Sequence, residues 1–150
     1  MGAASLEERV QRLEDLEAIK NLMARYSYHV NKGWNGEEVD LDAMPSVFAE
    51  DIEWTSWNAG TPETGIERGT EILREETGWI DFSMHSLTNP IIAIDGDEAT
   101  GNWLMWIASK RKGFTPNQVF MSLDITYART ARGWLIKTLD MHFGMMLLNP

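Results

Sequence analysis

The chain has 150 residues, no cysteine and a net charge of −10, from 23 acidic and 13 basic side chains. An acidic surface repels phosphate backbones and anionic membranes, so the composition argues against nucleic acid and membrane as partners. The lack of cysteine excludes disulfides, thiolate metal sites and a thiol nucleophile. No apolar run is long enough to span a bilayer, and the first residues lack a signal-peptide pattern. We therefore expect a cytoplasmic protein with one domain over residues 1–150.

The first predicted element is a long amphipathic helix over residues 6–30. Ser5 and Glu8 have the spacing of a capping box, in which each side chain binds a free backbone N–H. Apolar residues then recur every three or four positions, at Leu6, Val10, Leu13, Leu16, Ile19, Met23, Tyr26 and Val30. Lys32 and Gly33 predict a basic last turn followed by a glycine C-cap.

Shorter elements follow this helix. Residues 33–40 are rich in glycine and acidic side chains and predict a loop, after which a short helix is expected over 41–48. A strand is expected over 52–57, because Gly60 and Pro62 interrupt the chain soon after it. A second short helix is expected over 69–77.

The second half of the chain predicts four long strands joined by tight turns. These strands are expected over residues 82–94, 99–110, 118–130 and 134–143. Pro90 interrupts the first of them, which indicates a bulge or a sheet edge. Helices followed by an antiparallel meander are typical of an α+β fold with the helices on one face of the sheet.

Several short strings, taken in order, resemble the SnoaL-like group of the nuclear transport factor 2-like superfamily. The resemblance lies in Ala18-Ile19-Lys20-Asn21-Leu22, Arg25-Tyr26, Val30-Asn31-Lys32, the run from Val47 to Trp54, Met84-His85-Ser86-Leu87-Thr88-Asn89 and Arg129 to Trp134. It covers almost the whole chain. It implies a cone-shaped fold in which a curved antiparallel sheet of about four long strands plus short ones wraps around the N-terminal helices. It also implies a hydrophobic pocket and a homodimer or homotrimer.

The resemblance further implies a catalytic set. In the dehydratase and dehydrochlorinase branch, an Asp at the end of the first helix orients a His on the sheet, and the His removes a substrate proton. A Tyr five residues before the Asp binds the substrate oxygen. On this sequence the Tyr is Tyr26 and the His is His85, but the Asp position holds Asn31. The Asn31 amide can still orient the ring of His85. It lacks the negative charge of an aspartate, however, and the loss of a unit charge about 4 Å away removes roughly 4 kcal/mol of attraction for the imidazolium.

Two functions therefore remain open. One is a cofactor-independent lyase, isomerase or cyclase of the dehydratase type, which uses His general acid/base chemistry on a small apolar oxygenated substrate. The alternative is a non-catalytic small-molecule-binding protein of the same fold, favoured by Asn31. A module that dimerises through the outer face of its sheet is a third option. No metal is expected, because the three His lack ligand spacing. No nucleotide is expected either, because no Gly-rich phosphate loop follows a strand.

Each candidate residue also has a purely structural explanation. His85 is equally consistent with a hydrogen-bonded core histidine, and Tyr26 continues the apolar stripe of the helix. Trp54 and Trp57 are three apart and should face opposite sides of their strand, so that Trp54 is a candidate substrate-binding residue. Asp124 interrupts an apolar strand; it is a second substrate-binding candidate, with a solvent-facing position as the alternative.

Overall fold

The computed structural model describes residues 4–57 and 60–148. Two α-helices, a short 3₁₀ helix and six strands follow one another along the chain. In order they are α1 (Leu6–Val30), the 3₁₀ helix (Leu41–Ser46), β1 (Phe48–Thr55), β2 (Glu63–Thr64), α2 (Ile66–Thr77), β3 (Ile80–Asp95), β4 (Glu98–Arg111), β5 (Asn117–Thr130) and β6 (Gly133–Leu148). Within the described residues, no helix is long and apolar enough to cross a membrane.

The six strands form one curved sheet in the order β2-β1-β6-β5-β4-β3. The four long strands pair as the predicted antiparallel meander. Strand β1 pairs with β6 in parallel, which the sequence pattern did not predict. A parallel neighbour needs a long connection, and here the chain from α2 through β5 supplies it.

Helix α1 has the predicted start and length. The Ser5 hydroxyl accepts the Glu8 N–H at 3.1 Å, and the Glu8 carboxylate accepts the Ser5 N–H at 2.6 Å. The apolar stripe reaches the core only in the second half of the helix, where Ile19 is fully buried. Leu6 and Leu13 are 73% and 65% exposed, since the hydrophobic core begins at Ile19.

The C-terminal cap of α1 differs from the prediction. The helix stops at Val30, and Asn31 is already extended, with φ −77° and ψ 153°. The expected basic last turn at Lys32 is absent because Lys32 leaves the helix to form a β-bridge with Ser83. Gly33 has a positive φ of 86°, as a glycine at a chain reversal often does.

Pro90 lies where the sequence indicated a bulge. The pairing register of β3 and β4 shifts between Thr88 and Ile91, and Asn89 adopts a positive φ of 50°. Strand β3 is also an edge of the sheet. A bulge and an edge strand both suit proline, because it has no backbone N–H to donate to a neighbouring strand.

One partly buried ionic cluster joins α1 to the final hairpin. The Arg129 guanidinium donates to both carboxylate oxygens of Asp15 at 2.6 and 2.7 Å, and the Trp134 indole N–H donates to the same carboxylate at 3.0 Å. The Arg129 guanidinium also lies 4.5 Å above the Trp134 ring. The hydrogen bonds from Arg129 are the main reason that the pKa of Asp15 falls to about 2.

We expect Asp15→Asn to destabilise the protein by about 2 kcal/mol at neutral pH, because it weakens charge-assisted hydrogen bonds at the edge of the core. A carboxyl with a lowered folded-state pKa stabilises the fold above its ordinary value of 3.8, and this stabilisation is lost as the pH falls towards 2. The difference from wild type should therefore shrink in acid. Urea unfolding at several pH values measures it, with exposed Glu14→Gln as the control. An unchanged difference at low pH would contradict this account.

Candidate functional site

The end of α1 is held against the edge strand β3 by backbone hydrogen bonds. The Lys32 N–H donates to the Ser83 carbonyl and the Ser83 N–H to the Lys32 carbonyl, each at 3.0 Å. The Ser83 hydroxyl donates to the Val30 carbonyl at 3.2 Å. An edge strand otherwise leaves such groups unpaired, so α1 covers this part of the sheet edge.

The same helix end fixes His85, two residues further along β3. The Ser27 hydroxyl donates to the His85 carbonyl at 2.7 Å. On the other side, Asn31 Oδ1 accepts the His85 backbone N–H at 2.8 Å and also lies 3.1 Å from His85 Nδ1. The structure thus brings together the two residues that the resemblance had paired.

This geometry determines the tautomer of the His85 ring. A backbone N–H can only donate, so the Asn31 atom that faces it must be the amide oxygen. An amide oxygen can only accept, so His85 Nδ1 must carry a proton. The neutral ring then has its lone pair on Nε2, the nitrogen that can act as a base.

Burial makes the His85 ring difficult to protonate. It lowers the pKa of His85 from 6.5 to about 4, because the charged form loses solvation. Asn31 is itself buried and carries no charge that would oppose this shift. At neutral pH the ring is therefore uncharged and remains a weak base.

His85 lines a cavity of about 630 Å³, a volume typical of small-molecule sites. Most of its walls are apolar and contain three aromatic rings. The apolar residues are Val30, Trp57, Leu73, Trp79, Ile80, Ile107, Phe114, Val119, Met121, Met146 and Leu148. The polar ones are Glu76, Thr77, Ser83, His85, Ser109, Arg111, Thr115 and Asn117.

Glu76 is a titratable cavity residue that the sequence analysis did not select. Burial raises the pKa of its carboxyl, while the nearby Arg111 charge and a hydrogen bond from Ser56 oppose the shift. Helical spacing could have found it, because position 76 follows Ile72 by four residues and Leu73 by three and so shares a helix face with these two buried residues. Glu76 therefore lies on the side of α2 that faces the cavity, although the residue is still exposed to solvent.

The structure places Tyr26 and Trp54 in the core, each 1% exposed, and neither is among the residues that line the cavity. Their rings lie 6.5 Å apart, and both contact Phe48. Trp57, beyond the end of β1, lines the cavity instead and stacks on Phe143 at 5.2 Å. Strand alternation could not place Trp57, because the strand ends at Thr55.

Asp124 lies on the outer face of the sheet and is exposed. Its neighbours in the chain, Leu123 and Ile125, point into the core. The Asp124 carboxylate accepts a hydrogen bond from the Asn102 amide and lies 2.9 Å from His142 Nε2. The structure therefore gives Asp124 the solvent-facing position that the sequence left as its alternative.

No group of three or more His, Asp or Glu side chains in residues 4–57 and 60–148 has a metal-binding arrangement. The carboxylate that lines the cavity is Glu76, and the imidazole is His85. The polar chemistry of the cavity thus consists of one carboxyl, one imidazole, one guanidinium and a few hydroxyl and amide groups.

The model of the SnoaL-like domain family matches residues 11–140, which is most of the chain. The chain belongs to this family. The match includes both Asn31 and His85. No curated protein shows significant similarity to the sequence.

Solved structures with a similar backbone extend this result. A proposed aromatic ring hydroxylase from Novosphingobium aromaticivorans is 26% identical, with a TM-score of 0.79 over 91% of this chain and 94% of that one. A proposed scytalone dehydratase from the same species is 18% identical (TM-score 0.79; 93% and 90% covered). A type 3 hexachlorocyclohexane dehydrochlorinase from Novosphingobium barchaimii is 17% identical (TM-score 0.80; 94% of each).

Two further similar structures, from Novosphingobium aromaticivorans and Salmonella enterica, are described as nuclear transport factor 2-like, the first with a cystatin-like fold; they are 22% and 15% identical, each with a TM-score of 0.75. They show the fold that the resemblance implied. The predicted homodimer or homotrimer stays a prediction.

We expect His85 to titrate with a midpoint near 4. Asn31→Asp should raise that midpoint by about 1 to 3 units, because a carboxylate beside Nδ1 favours the imidazolium. An NMR titration of the His ring signals measures both values. Asn21→Asp makes the same chemical change on an exposed part of α1 and should leave the midpoint unchanged. A wild-type midpoint near 6.5 would contradict the desolvated, uncharged ring.

Proposed function

We propose that this protein is a cofactor-independent lyase of the dehydratase type, in which His85 removes a proton from a small apolar oxygenated substrate. The observation that carries the proposal is the double hydrogen bond to Asn31 Oδ1 from the His85 backbone N–H and the ring Nδ1. It leaves Nε2 as the basic nitrogen of a ring that lines the cavity.

The fixed orientation of the ring favours this role. A general base must be held within hydrogen-bond reach of the proton that it removes. Asn31 and Ser27 hold the backbone of His85 from both sides, and Asn31 also holds the ring. In this way Asn31 performs the orienting half of the role that an aspartate has in related enzymes, without stabilising the imidazolium by charge.

The cavity suits an uncharged and partly aromatic substrate. Trp57, Trp79 and Phe114 contribute ring surface, and polar side chains such as Thr77, Thr115 and Arg111 are able to donate hydrogen bonds to oxygen atoms. The names of similar structures refer to an aromatic ring and to dehydration. The dehydratase name agrees with elimination of water, and the aromatic ring in the other name agrees only with an aromatic substrate, because hydroxylation is a different reaction. Tyr26 and Trp54, which lie in the core, remain proposed contributors whose roles Tyr26→Phe and Trp54→Phe would test.

The base can be tested without the natural substrate by using 5-nitrobenzisoxazole. In this compound, removal of the ring C–H proton forms a nitrile, breaks the N–O bond and releases a coloured phenolate. We expect His85→Ala to lower kcat/KM by about 100-fold, the typical contribution of a general base. Asn31→Asp should preserve or raise kcat/KM at neutral pH, because a stronger base reacts faster. The wild-type rate should increase as the pH rises through about 4 and then level off.

His142→Ala is the matched control, because it removes an exposed imidazole from the outer face of the sheet. It should leave the rate unchanged. Equal rates in wild type and His85→Ala would exclude His85 as the base.

A second candidate function is the binding of a small molecule without chemistry. The low pKa of His85 and the neutral Asn31 favour it, because both weaken proton removal. In that case naphthol should bind with the same Kd to wild type, His85→Ala and Asn31→Asp. The wild type and His85→Ala should also turn over nitrobenzisoxazole at the same rate. Titration calorimetry measures the affinity. Turnover that depends on His85 would reject this alternative.

A further inference from the structure

The sheet contributes two neighbouring rows of side chains to the cavity, and each row crosses four strands. The first row, from β3 to β6, consists of Ser83, Ser109, Asn117 and Leu148. The second row lies two residues away along each strand and consists of His85, Ile107, Val119 and Met146. All of these residues line the cavity. The proposed base therefore lies in an otherwise apolar row, beside a row that is mostly polar.

The two serines of the polar row have already committed their hydrogens. Ser83 is fully buried, and its hydroxyl donates to the Val30 carbonyl at 3.2 Å. Ser109 is also buried, and its hydroxyl donates to Asn117 Oδ1 at 2.9 Å. A serine hydroxyl has one hydrogen to donate, so neither serine retains a donor for a bound molecule.

The Asn117 amide is the group of the polar row that still has hydrogens to donate. Its Oδ1 atom is held by Ser109, and its Nδ2 atom carries two N–H donors. In the part of the chain that the structure describes, no acceptor pairs with Asn117 Nδ2. The side chain is half-buried and lines the cavity. It therefore presents a fixed amide donor to a ligand, and the ligand atom that suits it is an acceptor oxygen.

The pairing register gives the separation between this donor and the base. Asn117 is two strands and one row away from His85, which corresponds to roughly 12 Å between their Cα atoms. Side chains stand nearly perpendicular to a sheet, so their polar ends are separated by about the same distance. A contact of about 3 Å at each end leaves about 6 Å for the ligand. This is about the width of one six-membered ring, for which Ile107 and Val119 supply an apolar surface.

We infer that Asn117, oriented by Ser109, binds an acceptor oxygen of the substrate, across a ring from the carbon that His85 deprotonates. The inference rests on the proposed function, because it uses His85 as the base. It narrows the substrate class to a ring compound that carries a conjugated carbonyl oxygen. Asn117 is thus a substrate-binding residue, and Ser109 is a positioning residue.

This arrangement assigns a place to the charge that proton removal creates. His85 Nε2 takes the C–H proton, and the C–H electron pair moves through the conjugated ring onto the carbonyl oxygen. Asn117 keeps both of its amide protons and stabilises the resulting oxyanion by a hydrogen bond, as donors of an oxyanion hole do. Binding of the oxygen and its stabilisation as an anion therefore depend on the same N–H group.

The oxygen site can be tested with two ligands, 1-tetralone and tetralin, in which a carbonyl group replaces a methylene group. The test variant is Asn117→Asp, because a carboxylate still accepts the Ser109 hydroxyl but has no N–H for the ligand. We expect it to weaken the binding of tetralone by about tenfold, the effect of one lost hydrogen bond. The Kd of tetralin should change by less than about twofold. Titration calorimetry measures both values.

Gln118→Glu is the matched control, because it makes the same amide-to-carboxylate change at the next residue of β5, which is not among the residues that line the cavity. It should leave the Kd of both ligands unchanged. A wild type that does not bind tetralone, an unchanged tetralone Kd in Asn117→Asp, or an equal loss for both ligands would overturn the inference.

The role of Ser109 has its own pair of variants. Ser109→Ala should weaken tetralone binding severalfold relative to tetralin, because the Asn117 amide is then free to rotate. Ser109→Thr keeps the hydroxyl and should restore the wild-type ratio of the two Kd values. A ratio that stays the same in Ser109→Ala would show that Ser109 does not position the amide.

His85→Ala separates this inference from the proposed function. It should keep the wild-type ratio of the tetralone and tetralin Kd values, because the oxygen site does not use the imidazole. The turnover of nitrobenzisoxazole decides the role of His85 independently. Turnover retained in His85→Ala would reject the base, whereas the effect of Asn117→Asp on tetralone binding would still decide the oxygen site.

Discussion

The contact between the end of α1 and the edge of β3 is the constraint on which the rest of the site depends. Lys32 continues the chain as a β-bridge to Ser83, and Ser27 and Asn31 bind the backbone of His85. These bonds satisfy polar groups of an edge strand. Because Asn31 Oδ1 also binds the ring of His85, the interaction that closes the edge of the sheet simultaneously determines which ring nitrogen is basic.

The cavity shifts the pKa values of His85 and Glu76 in opposite directions. Desolvation lowers the pKa of His85 and raises that of Glu76, and each shift favours the uncharged form. A neutral base suits an uncharged substrate. The neutral amide of Asn31 fits this environment, because a buried aspartate would require desolvation of a further charge. The same amide limits the basicity of His85, which makes Asn31→Asp an informative substitution.

Parts of the fold that depend on local interactions could be predicted from the sequence. The capping box at Ser5, the turn at Gly96 and the bulge at Pro90 all arise from residues close together in the chain. The pairing of β1 with β6 could not be predicted, since it joins segments separated by five other elements. The contact of Asn31 with His85, 54 residues apart, was expected only from family resemblance.

The sequence by itself determined the α+β class, the length of α1 and the four-strand meander, because hydrophobic periodicity and turn chemistry act over a few residues. Only the tertiary structure decided which side chains face the cavity. It placed Trp57 and Glu76 there and put Trp54 in the core. Where both faces of an element are partly apolar, periodicity cannot distinguish a cavity wall from a packed core. That distinction depends on the curvature of the sheet and on where α1 and α2 pack against it.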